Sequence, residues 1–418
     1  MDAFLINGKK QLSGKISVSG AKNAILPIMT ATLLTEGKSI LHNVPHINDF
    51  KMMSHLLRII GARVEHENNT MQIDSSNAGY WEAPYELVSK MRASIYVLGP
   101  LLAKFNKASV AFPGGCAIGT RPVDLHLMAI EKLGANITIE HGYINANCPD
   151  GLVGAEITFP FISVGATANT LMAAVLAKGK SILNNIALEP EIDSLISFLN
   201  KMGAKIKHLH NNSLEIIGVD KLSPVEMTMI PDRIEAGTLL LSSAITKNSF
   251  TICNCEPQHL ISLIEKMELA GCKFEISDGN ITVFPAEMIK PVDITTEAYP
   301  GFPTDLQAQF MSYMTLANGK CQIKETIFPD RFMHIAELNR LGANIQINNG
   351  IAEVSGVKKL SGAEVMATDL RASAALVLAG LAAEGETTIS RIYHIDRGYE
   401  KIEQKLNAIG ADIKRIIQ

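Results

Sequence analysis

The sequence has little of what marks membrane, secreted or nucleic-acid-binding proteins. Its apolar residues never form a run close to the roughly 18 residues of a membrane-spanning helix. The first residues, MDAFLINGKK, lack the basic and then apolar regions of a signal peptide. A formal net charge of −4 and a pI of about 6.3 argue against a general nucleic-acid binder. We therefore expect a cytoplasmic protein without membrane insertion or nucleic-acid partners.

Cysteine is also scarce, with six in 418 residues and no CxxC pair, zinc-ligand spacing or disulfide ladder. This pattern predicts free thiols in a reducing compartment and no metal site. Aromatic residues make up only 6%, but apolar residues reach 47%, so the chain can fill large cores. Its length suggests at least two domains, each with its own core.

An internal repeat is the main feature that is present. A short tag of an apolar residue, glycine and a small residue closes an amphipathic segment six times, about 70 residues apart. Its glycines are Gly61, Gly134, Gly203, Gly271, Gly342 and Gly410. Before the tag, each unit is predicted to carry, in the same order, an Ala-rich helix that is apolar nearly all round, a short strand and an amphipathic helix. A β-hairpin follows, in some units with an Asp-Gly or Asn-Gly turn. Each unit is thus a small βα assembly with a glycine C-cap.

The last unit stops without its returning strand, and the N-terminal segment FLINGKKQLSG supplies a candidate. We therefore predict that the N-terminal strand completes the sixth repeat. One domain would contain residues 1–20 and 231–418, and the other would contain residues 21–230. Three repeats in each domain and two crossings between them favour a hinged clamp.

Charged residues stand at or near the first turn of several helices that are otherwise apolar. They are Lys22, Arg92, Arg233, Asp305, Asp369 and Arg371. If the repeats are related by pseudo-threefold axes, these helix starts gather at one end of each domain. Two such sets that face each other would form an anion pocket between the domains. The alternative is that each charge caps its helix or lies at the rim. Cations oppose the helix dipole there, so a bound anion explains the lysine and arginines better than capping does.

A glycine- and proline-rich segment, PGGCAIGTRP, replaces the ordinary strand-to-helix connection at residues 113–122. Such a loop lets the backbone approach a ligand closely. It could also be a surface loop with an incidental cysteine. A function is favoured because Arg121 would hold anions near the Cys116 thiol, which could then act as a nucleophile or an acid.

Together these segments resemble the UDP-N-acetylglucosamine 1-carboxyvinyltransferases, a family of enolpyruvyl transferases at the first committed step of peptidoglycan synthesis. The resemblance covers essentially the whole chain. The matching stretches are SGAKNA at 19–24, MRAS at 91–94, PGGCAIGTRPVDLH at 113–126, SVGAT at 163–167, PTDLQAQ at 303–309, RFMH at 331–334, ATDLRA at 367–372 and DRGYE at 396–400. It implies an α/β fold, a two-domain inside-out α/β barrel built from six βαβαββ repeats.

The resemblance also implies substrates and residue roles. Phosphoenolpyruvate would contact Lys22, Arg121 and Arg397, with Asn23 beside the lysine. The UDP-N-acetylglucosamine contacts would be Arg92, Arg121, Pro122, Val123, Asp124, Leu125, Ser163, Val164, Asp305 and Ile327. Further substrate-binding residues would be Phe161, Ile162, Arg331 and Arg371. At Phe161 some relatives have a lysine, so direct charge pairing with the nucleotide is lost there.

Addition–elimination chemistry needs an acid for C3 of phosphoenolpyruvate, a base for the sugar hydroxyl and cations for phosphate and carboxylate. Cys116 suits the acid and Asp305 the base, and Asp369 is a further catalytic candidate. Lys22, Arg121, Arg371 and Arg397 suit the cations, with no cofactor. We expect residues 113–123 to close as a lid over the bound sugar nucleotide. The thiol could also add to phosphoenolpyruvate as a side state, and it would be a target for fosfomycin.

Other functions remain open from the sequence. The related transferases acting on shikimate 3-phosphate share the fold, but they lack the Gly-Gly-Cys segment. A non-enzymatic sugar-nucleotide-binding relative would not need Lys22, Cys116, Asp305 and Arg397 together. RNA-end cyclases use a related repeat, but their signatures are missing. His126, His334 and His394 are interpreted as structural or supporting residues rather than acids.

Overall fold

The structure is a computed structural model that describes residues 2–89, 91–113 and 123–417. Its described residues form two compact units. The first unit contains residues 2–19 and 231–417, and the second contains residues 20–113 and 123–230. The chain changes unit between Ser19 and Gly20 and again between Ile230 and Pro231.

The second unit contains the α-helices that come first in the chain. They are α1 (Lys22–Ala31), α2 (Asn48–Ile60), α3 (Tyr85–Val88), α4 (Leu98–Phe105), α5 (Asp124–Lys132), α6 (Val164–Ala174) and α7 (Pro190–Lys201). The first unit contains α8 (Arg233–Thr246), α9 (Ile261–Leu269), α10 (Thr304–Met314), α11 (His334–Arg340), α12 (Leu370–Ala382) and α13 (Ile402–Asn407). Four 3₁₀ helices occur among the described residues, at Thr32–Leu34, Arg92–Val97, Pro257–Leu260 and Ile392–Arg397.

Helices α1, α6, α8, α10 and α12 are buried over almost their whole length. In the first unit α8, α10 and α12 pack against one another. In the second unit the 3₁₀ helix Arg92–Val97 and α4, which directly follows it, pack against α6. Helices α1, α6 and α12 are apolar nearly all round, so burial on all sides removes their apolar side chains from water. Helices α8 and α10 also bury polar side chains, such as Thr238 and Gln309. The predicted all-round apolar helices are confirmed.

Most strands of the second unit pair within their own repeat. The strands of this unit are β3 (Lys38–His42), β4 (Arg63–Glu67), β5 (Thr70–Asp74), β6 (Glu82–Ala83), β7 (Lys107–Ala111), β8 (Asn136–Glu140), β9 (Tyr143–Asn147), β10 (Glu156–Thr158), β11 (Lys180–Asn184), β12 (Lys205–Leu209), β13 (Ser213–Ile217) and β14 (Glu226–Thr228). The sheet orders are β14-β3-β5-β4, β6-β7-β9-β8 and β10-β11-β13-β12.

The first unit repeats this pattern with strands from both ends of the chain. They are β1 (Asp2–Asn7), β2 (Lys15–Ser17), β15 (Thr251–Cys253), β16 (Lys273–Ser277), β17 (Asn280–Phe284), β18 (Ile294–Thr295), β19 (Lys320–Lys324), β20 (Asn344–Asn348), β21 (Ile351–Ser355), β22 (Glu364–Met366), β23 (Glu386–Ser390) and β24 (Ile413–Ile417). The sheet orders are β16-β17-β15-β2, β18-β19-β21-β20 and β22-β23-β1-β24.

The N-terminal strand completes the last repeat, as predicted. Strand β1 lies between β23 and β24 and is antiparallel to both, with Phe4 opposite Ile389 and Ile6 opposite Ile413. Each sheet consists of one parallel edge pair followed by antiparallel pairs, the order that a βαβαββ repeat produces. The architecture is the two-domain inside-out α/β barrel with three repeats in each unit.

Local turn chemistry fixes the ends of the elements. Gly61 ends α2 with a φ of 107°, and its N–H donates to the Arg58 carbonyl, which closes the helix. The glycines of the other five tags also have positive φ. At the β16–β17 turn both Asp278 and Gly279 have positive φ, which is the backbone of a tight hairpin turn. The predicted glycine C-caps and this Asp-Gly turn are confirmed. Among the described residues, no helix combines the length and apolarity needed to cross a membrane.

Candidate functional site

The starts of two buried helices meet in the first unit. Asp305 is the second residue of α10, and Arg371 is the second residue of α12. The Arg371 Nη2 donates a hydrogen bond of 2.9 Å to the Asp305 Oδ2. Because α10 and α12 pack side by side, these two predicted charges are brought together. The gathering of charged helix starts predicted from the repeat is confirmed for this pair.

Asp305 is held on its other side by Arg331, which lies just before α11. The Arg331 Nη1 donates to the Asp305 Oδ1 at 2.9 Å. Burial raises the pKa of Asp305, but the charges of Arg371 and Arg331 and the hydrogen bonds they donate hold it well below its usual value of 3.8. The two arginine side chains are only 5–6% exposed, and that of Asp305 is 25% exposed. The carboxylate is therefore ionised at neutral pH and is the most accessible member of the cluster.

A buried polar network fixes Arg371. The Tyr399 hydroxyl lies 3.5 Å from the Arg371 Nη1 and 2.8 Å from the Thr238 Oγ1. Gln309 on α10 donates to the Thr238 hydroxyl and to the Asp305 backbone carbonyl. Burial lowers the pKa of Arg371, but Asp305 and its other neighbours more than reverse this, so the net pKa is raised. Sequence reasoning missed Tyr399 and Thr238, since neither carries a charge.

Asp369 is the N-cap of α12. Its Oδ1 accepts hydrogen bonds from the backbone N–H groups of Arg371 at 2.7 Å and Ala372 at 3.1 Å. Asp369 therefore caps its helix, which is the alternative interpretation given above for charged residues at helix starts. The catalytic role assigned to Asp369 stays a prediction.

Two histidines lie close to this cluster. Burial lowers the pKa of His334 to about 4, although the charge of Asp369 opposes the shift. Burial, with a contribution from the positive charge of Arg397, also lowers the pKa of His394. Both imidazoles are therefore neutral at pH 7. Arg397 is the last residue of the 3₁₀ helix Ile392–Arg397 and is half-buried.

In the second unit, Lys22 forms an ion pair that the sequence did not predict. Lys22 is the first residue of α1, and its Nζ lies 2.9 Å from the Asp49 Oδ2. Asp49 is the second residue of α2, and both side chains are largely buried. Part of the negative charge expected beside Lys22 is therefore supplied by the Asp49 carboxylate. No local signal identified Asp49, because its residue type suits any first helical turn. Asn23 follows Lys22 in α1.

His126 takes a defined tautomer. The Asn169 Oδ1 accepts from the Gly99 N–H at 2.7 Å, so its Nδ2 is the donor to the His126 Nδ1 at 3.1 Å. The proton of the imidazole therefore lies on Nε2, which faces Gly165 near the start of α6. Burial, aided by the charge of Arg92, lowers the pKa of His126 to about 3. The group is a neutral hydrogen-bond donor beside the SVGAT segment.

Other predicted sugar-nucleotide residues stand at the starts of two helices. Val123, Asp124 and Leu125 form the start of α5, where Asp124 is exposed and the other two are buried. The segment 161–164 leads into α6, and the Ser163 hydroxyl caps that helix by accepting from the Ala166 N–H at 3.3 Å. Phe161 is 55% exposed.

In the first unit, Ile327 is exposed and lies in the segment between β19 and α11. The predicted residues Cys116, Arg121 and Pro122, with most of the proposed lid, lie outside the described residues. Among the described residues, no group of three or more His, Cys, Asp or Glu side chains could hold a metal ion.

Comparisons with known proteins place these residues in a family. The family model for EPSP synthase (3-phosphoshikimate 1-carboxyvinyltransferase) matches residues 6–406. Curated relatives named UDP-N-acetylglucosamine 1-carboxyvinyltransferase include one from Chloroherpeton thalassium, 54% identical over 99% of this chain and 97% of the relative. Another, from Desulfosudis oleivorans, is 50% identical over the whole of both chains.

Solved structures agree on the fold. The crystal structure of the enolpyruvyl transferase NikO from Streptomyces tendae has a TM-score of 0.88 at 23% identity, covering 99% of this chain and 98% of that one. The EPSP synthase from Acinetobacter baumannii has a TM-score of 0.76 at 19% identity over the whole of both chains.

Proposed function

The chain belongs to the EPSP synthase family and, within it, to the UDP-N-acetylglucosamine 1-carboxyvinyltransferases, and we propose that it transfers the enolpyruvyl group of phosphoenolpyruvate to UDP-N-acetylglucosamine. The acceptor is the 3-hydroxyl of the sugar, and phosphate is the second product. The observation that carries this proposal is full-length identity of 50–54% to relatives of that name. The reaction would be the first committed step of peptidoglycan synthesis.

The proposed reaction has two steps that balance in protons. In the addition step, C3 of phosphoenolpyruvate gains a proton and the sugar oxygen bonds to C2 while its hydroxyl loses a proton. In the elimination step, C3 loses a proton and the C2–O bond to phosphate breaks. Cys116 is the proposed donor to C3, because a thiol on a glycine-rich segment can reach the carbon. Lys22, Arg121 and Arg397 would hold the phosphate and carboxylate.

Asp305 is proposed to bind the acceptor hydroxyl. Its carboxylate is the exposed end of the cluster with Arg331 and Arg371. A carboxylate whose pKa lies well below 3.8 is a weak base, so it cannot remove the hydroxyl proton before the carbon is activated. It orients the hydroxyl and accepts the proton as the new C–O bond forms. This order favours protonation of C3 before or together with attack by the sugar.

A cytoplasmic location is part of the proposal. The five cysteines that the structure describes are all free thiols, which supports a reducing compartment.

The test is phosphate release from phosphoenolpyruvate with the purified full chain and different acceptors. We expect release with UDP-N-acetylglucosamine and none above background with shikimate 3-phosphate or without acceptor. Release with shikimate 3-phosphate alone would assign the chain to the other activity of the family. No release with either acceptor, from protein that binds UDP-N-acetylglucosamine, would favour a binding protein without catalysis.

A further inference from the structure

A buried glutamate, Glu325, lies behind the Asp305 cluster and belongs to none of the residues predicted from the sequence. It directly follows β19 and is only 4% exposed. Its Oε1 accepts from the Thr296 hydroxyl at 2.7 Å and from the N–H groups of Ile327 at 2.8 Å and Phe328 at 3.0 Å. Its Oε2 accepts from the Thr304 hydroxyl at 2.9 Å. A buried carboxylate is costly unless hydrogen-bonded, so this set of donors is what makes its burial tolerable.

The contact with Thr304 gives that hydroxyl a direction. A threonine hydroxyl has one proton and two lone pairs. Since the proton is donated to Glu325, the lone pairs are left to accept from the Arg331 Nη1, which lies 2.9 Å away. Arg331 Nη1 also donates to Asp305. The negative charge of Glu325 thus fixes the direction of the Thr304 hydroxyl, and through Thr304 it helps to hold Arg331, which donates to the same Asp305 carboxylate as Arg371.

The contacts with the two amides act on a different part of the site. They hold the backbone at Ile327 and Phe328 through Oε1, while Oε2 holds Thr304 at the start of α10. Ile327 and Asp305 are both proposed contacts of the sugar nucleotide. One buried side chain therefore sets the position of two segments that the substrate would touch.

We propose that Glu325 is a positioning residue for the sugar-nucleotide acceptor. It acts through Thr304 and Arg331 on the Asp305 carboxylate and through two backbone amides on Ile327. This inference rests on the proposed function, because its effect is on acceptor binding and turnover. It adds a residue that would itself contact neither substrate.

The first test is Glu325→Gln in the full chain. The amide keeps the shape but makes one end a donor. If that end faces Thr304, the threonine oxygen accepts from both the amide and Arg331, and its own proton loses the carboxylate that accepted it. If the amide NH₂ group replaces Oε1 instead, it faces the Thr296 hydroxyl and the N–H groups of Ile327 and Phe328, all of which donate in the wild-type protein. We expect kcat/KM for UDP-N-acetylglucosamine to fall roughly 10- to 100-fold, as for a lost hydrogen bond to a charged group. The half-buried carboxylate of Glu353 on β21, which pairs with the exposed Lys320, provides the control, and Glu353→Gln should match wild type.

Thr304 supplies a second test that needs no change at the buried charge. Thr304→Ser keeps a hydroxyl and should retain most of the activity. Thr304→Val keeps the shape but loses the hydroxyl that links Glu325 to Arg331, so its activity should resemble that of Glu325→Gln. The double variant should lose little more than either single variant, because both break the same link. The two Thr304 variants also test the positioning role if Glu325→Gln does not fold.

The outcomes separate the two proposals. If wild type does not release phosphate with UDP-N-acetylglucosamine, the proposed function fails. If wild type is active and Thr304→Val equals Thr304→Ser, the positioning role is wrong. Losses that add fully in the double variant, or that simply follow a lowered unfolding temperature, would likewise assign Glu325 to stability alone.

Discussion

At the scale of single residues, the site is built from charges that the chain has already paired. Asp305 lies between Arg331 and Arg371, and Lys22 lies against Asp49. A buried ion pair costs desolvation energy, which is offset only when geometry and further hydrogen bonds are favourable. Here the pairing keeps the arginines and the lysine oriented before any substrate arrives. Such preorganisation lowers the reorganisation needed at the moment of reaction.

Asp305 gives the first prediction. Asp305→Asn removes the charge between two arginines, and we expect kcat to fall at least about 100-fold, the scale of a lost proton-transfer group. Steady-state kinetics at saturating substrates measure this effect. Asp278→Asn on the exposed β16–β17 turn is the matched control and should behave as wild type, since asparagine tolerates the positive φ there. An Asp305→Asn enzyme with full kcat would remove this residue from the mechanism.

His126 gives a prediction on stability against pH. Its pKa is about 3 when folded and about 6.5 in the unfolded chain. Above pH 6.5 neither state binds the proton. As the pH falls from 6.5 toward 3, only the unfolded state does, so stability falls by about 1.4 kcal/mol per pH unit. His334, with a folded-state pKa of about 4, adds a loss of the same sign.

Calorimetric unfolding between pH 7.5 and 5 measures this loss. We expect His126→Gln to show a shallower fall of unfolding temperature with acidification, whatever its stability at pH 7.5. His210→Gln, at an exposed turn, is the control and should keep the wild-type slope. An unchanged slope in His126→Gln would mean that His126 titrates normally in the folded protein.

At the scale of helices and strands, the buried helices combine packing with chemistry. Their apolar lengths hold the two cores together, and their first turns carry Lys22, Asp305 and Arg371. Free N–H groups and the helix dipole favour anions at a helix start, which suits the Asp305 carboxylate, whereas the charges of Lys22 and Arg371 oppose the dipole there. The same first turns must also be capped, as Asp232 and Asp369 do for α8 and α12.

Asp369 can therefore be tested for capping and catalysis separately. Asp369→Asn keeps an oxygen for the N–H groups of Arg371 and Ala372, whereas Asp369→Ala removes it and should lower stability by about 1 kcal/mol. We retain the predicted catalytic role, so kcat should fall by about tenfold or more in both variants. Denaturant unfolding and steady-state kinetics give the two values. Full kcat in Asp369→Asn would leave Asp369 as a cap only.

Periodic elements could be predicted from the sequence because their cause is local. The glycine tags, the Asp-Gly turn and the all-round apolar helices depend on residues within one segment. The partners of the charged residues could not be predicted in this way. Asp305 and Arg371 are 66 residues apart, and only the packing of α10 against α12 makes them neighbours. Glu325 and Asp49 were missed for the same reason, and Tyr399 was missed because it carries no charge.

At the scale of the whole molecule, the chain closes on itself within one unit. Strand β1 pairs with β24, so residues from both ends share a sheet. That sheet adjoins α12, which carries Arg371, because α12 packs against both β1 and β23. The four-stranded sheet is therefore complete only when the N-terminal and the C-terminal strand are both in place. Contacts of such large sequence separation slow folding.

The repeat also explains how one fold holds two different sets of polar residues. Each unit uses three buried helices in equivalent positions, but the charges at their starts differ. In the described part of the first unit the starts of α10 and α12 carry Asp305 and Arg371, whereas in that of the second unit the start of α1 carries Lys22. The repeated fold supplies the geometry, and the residue types at the helix starts supply the chemistry.

The most direct test of the central claim, that a proton is added to C3 of phosphoenolpyruvate and later removed, is turnover in heavy water with UDP-N-acetylglucosamine. The account predicts deuterium on the vinyl carbon of the product, because the C3 methyl group of the adduct contains one solvent-derived hydrogen before elimination. Proton NMR or mass spectrometry of the purified sugar nucleotide measures it. A product without deuterium at that carbon, formed with release of phosphate, would contradict the account.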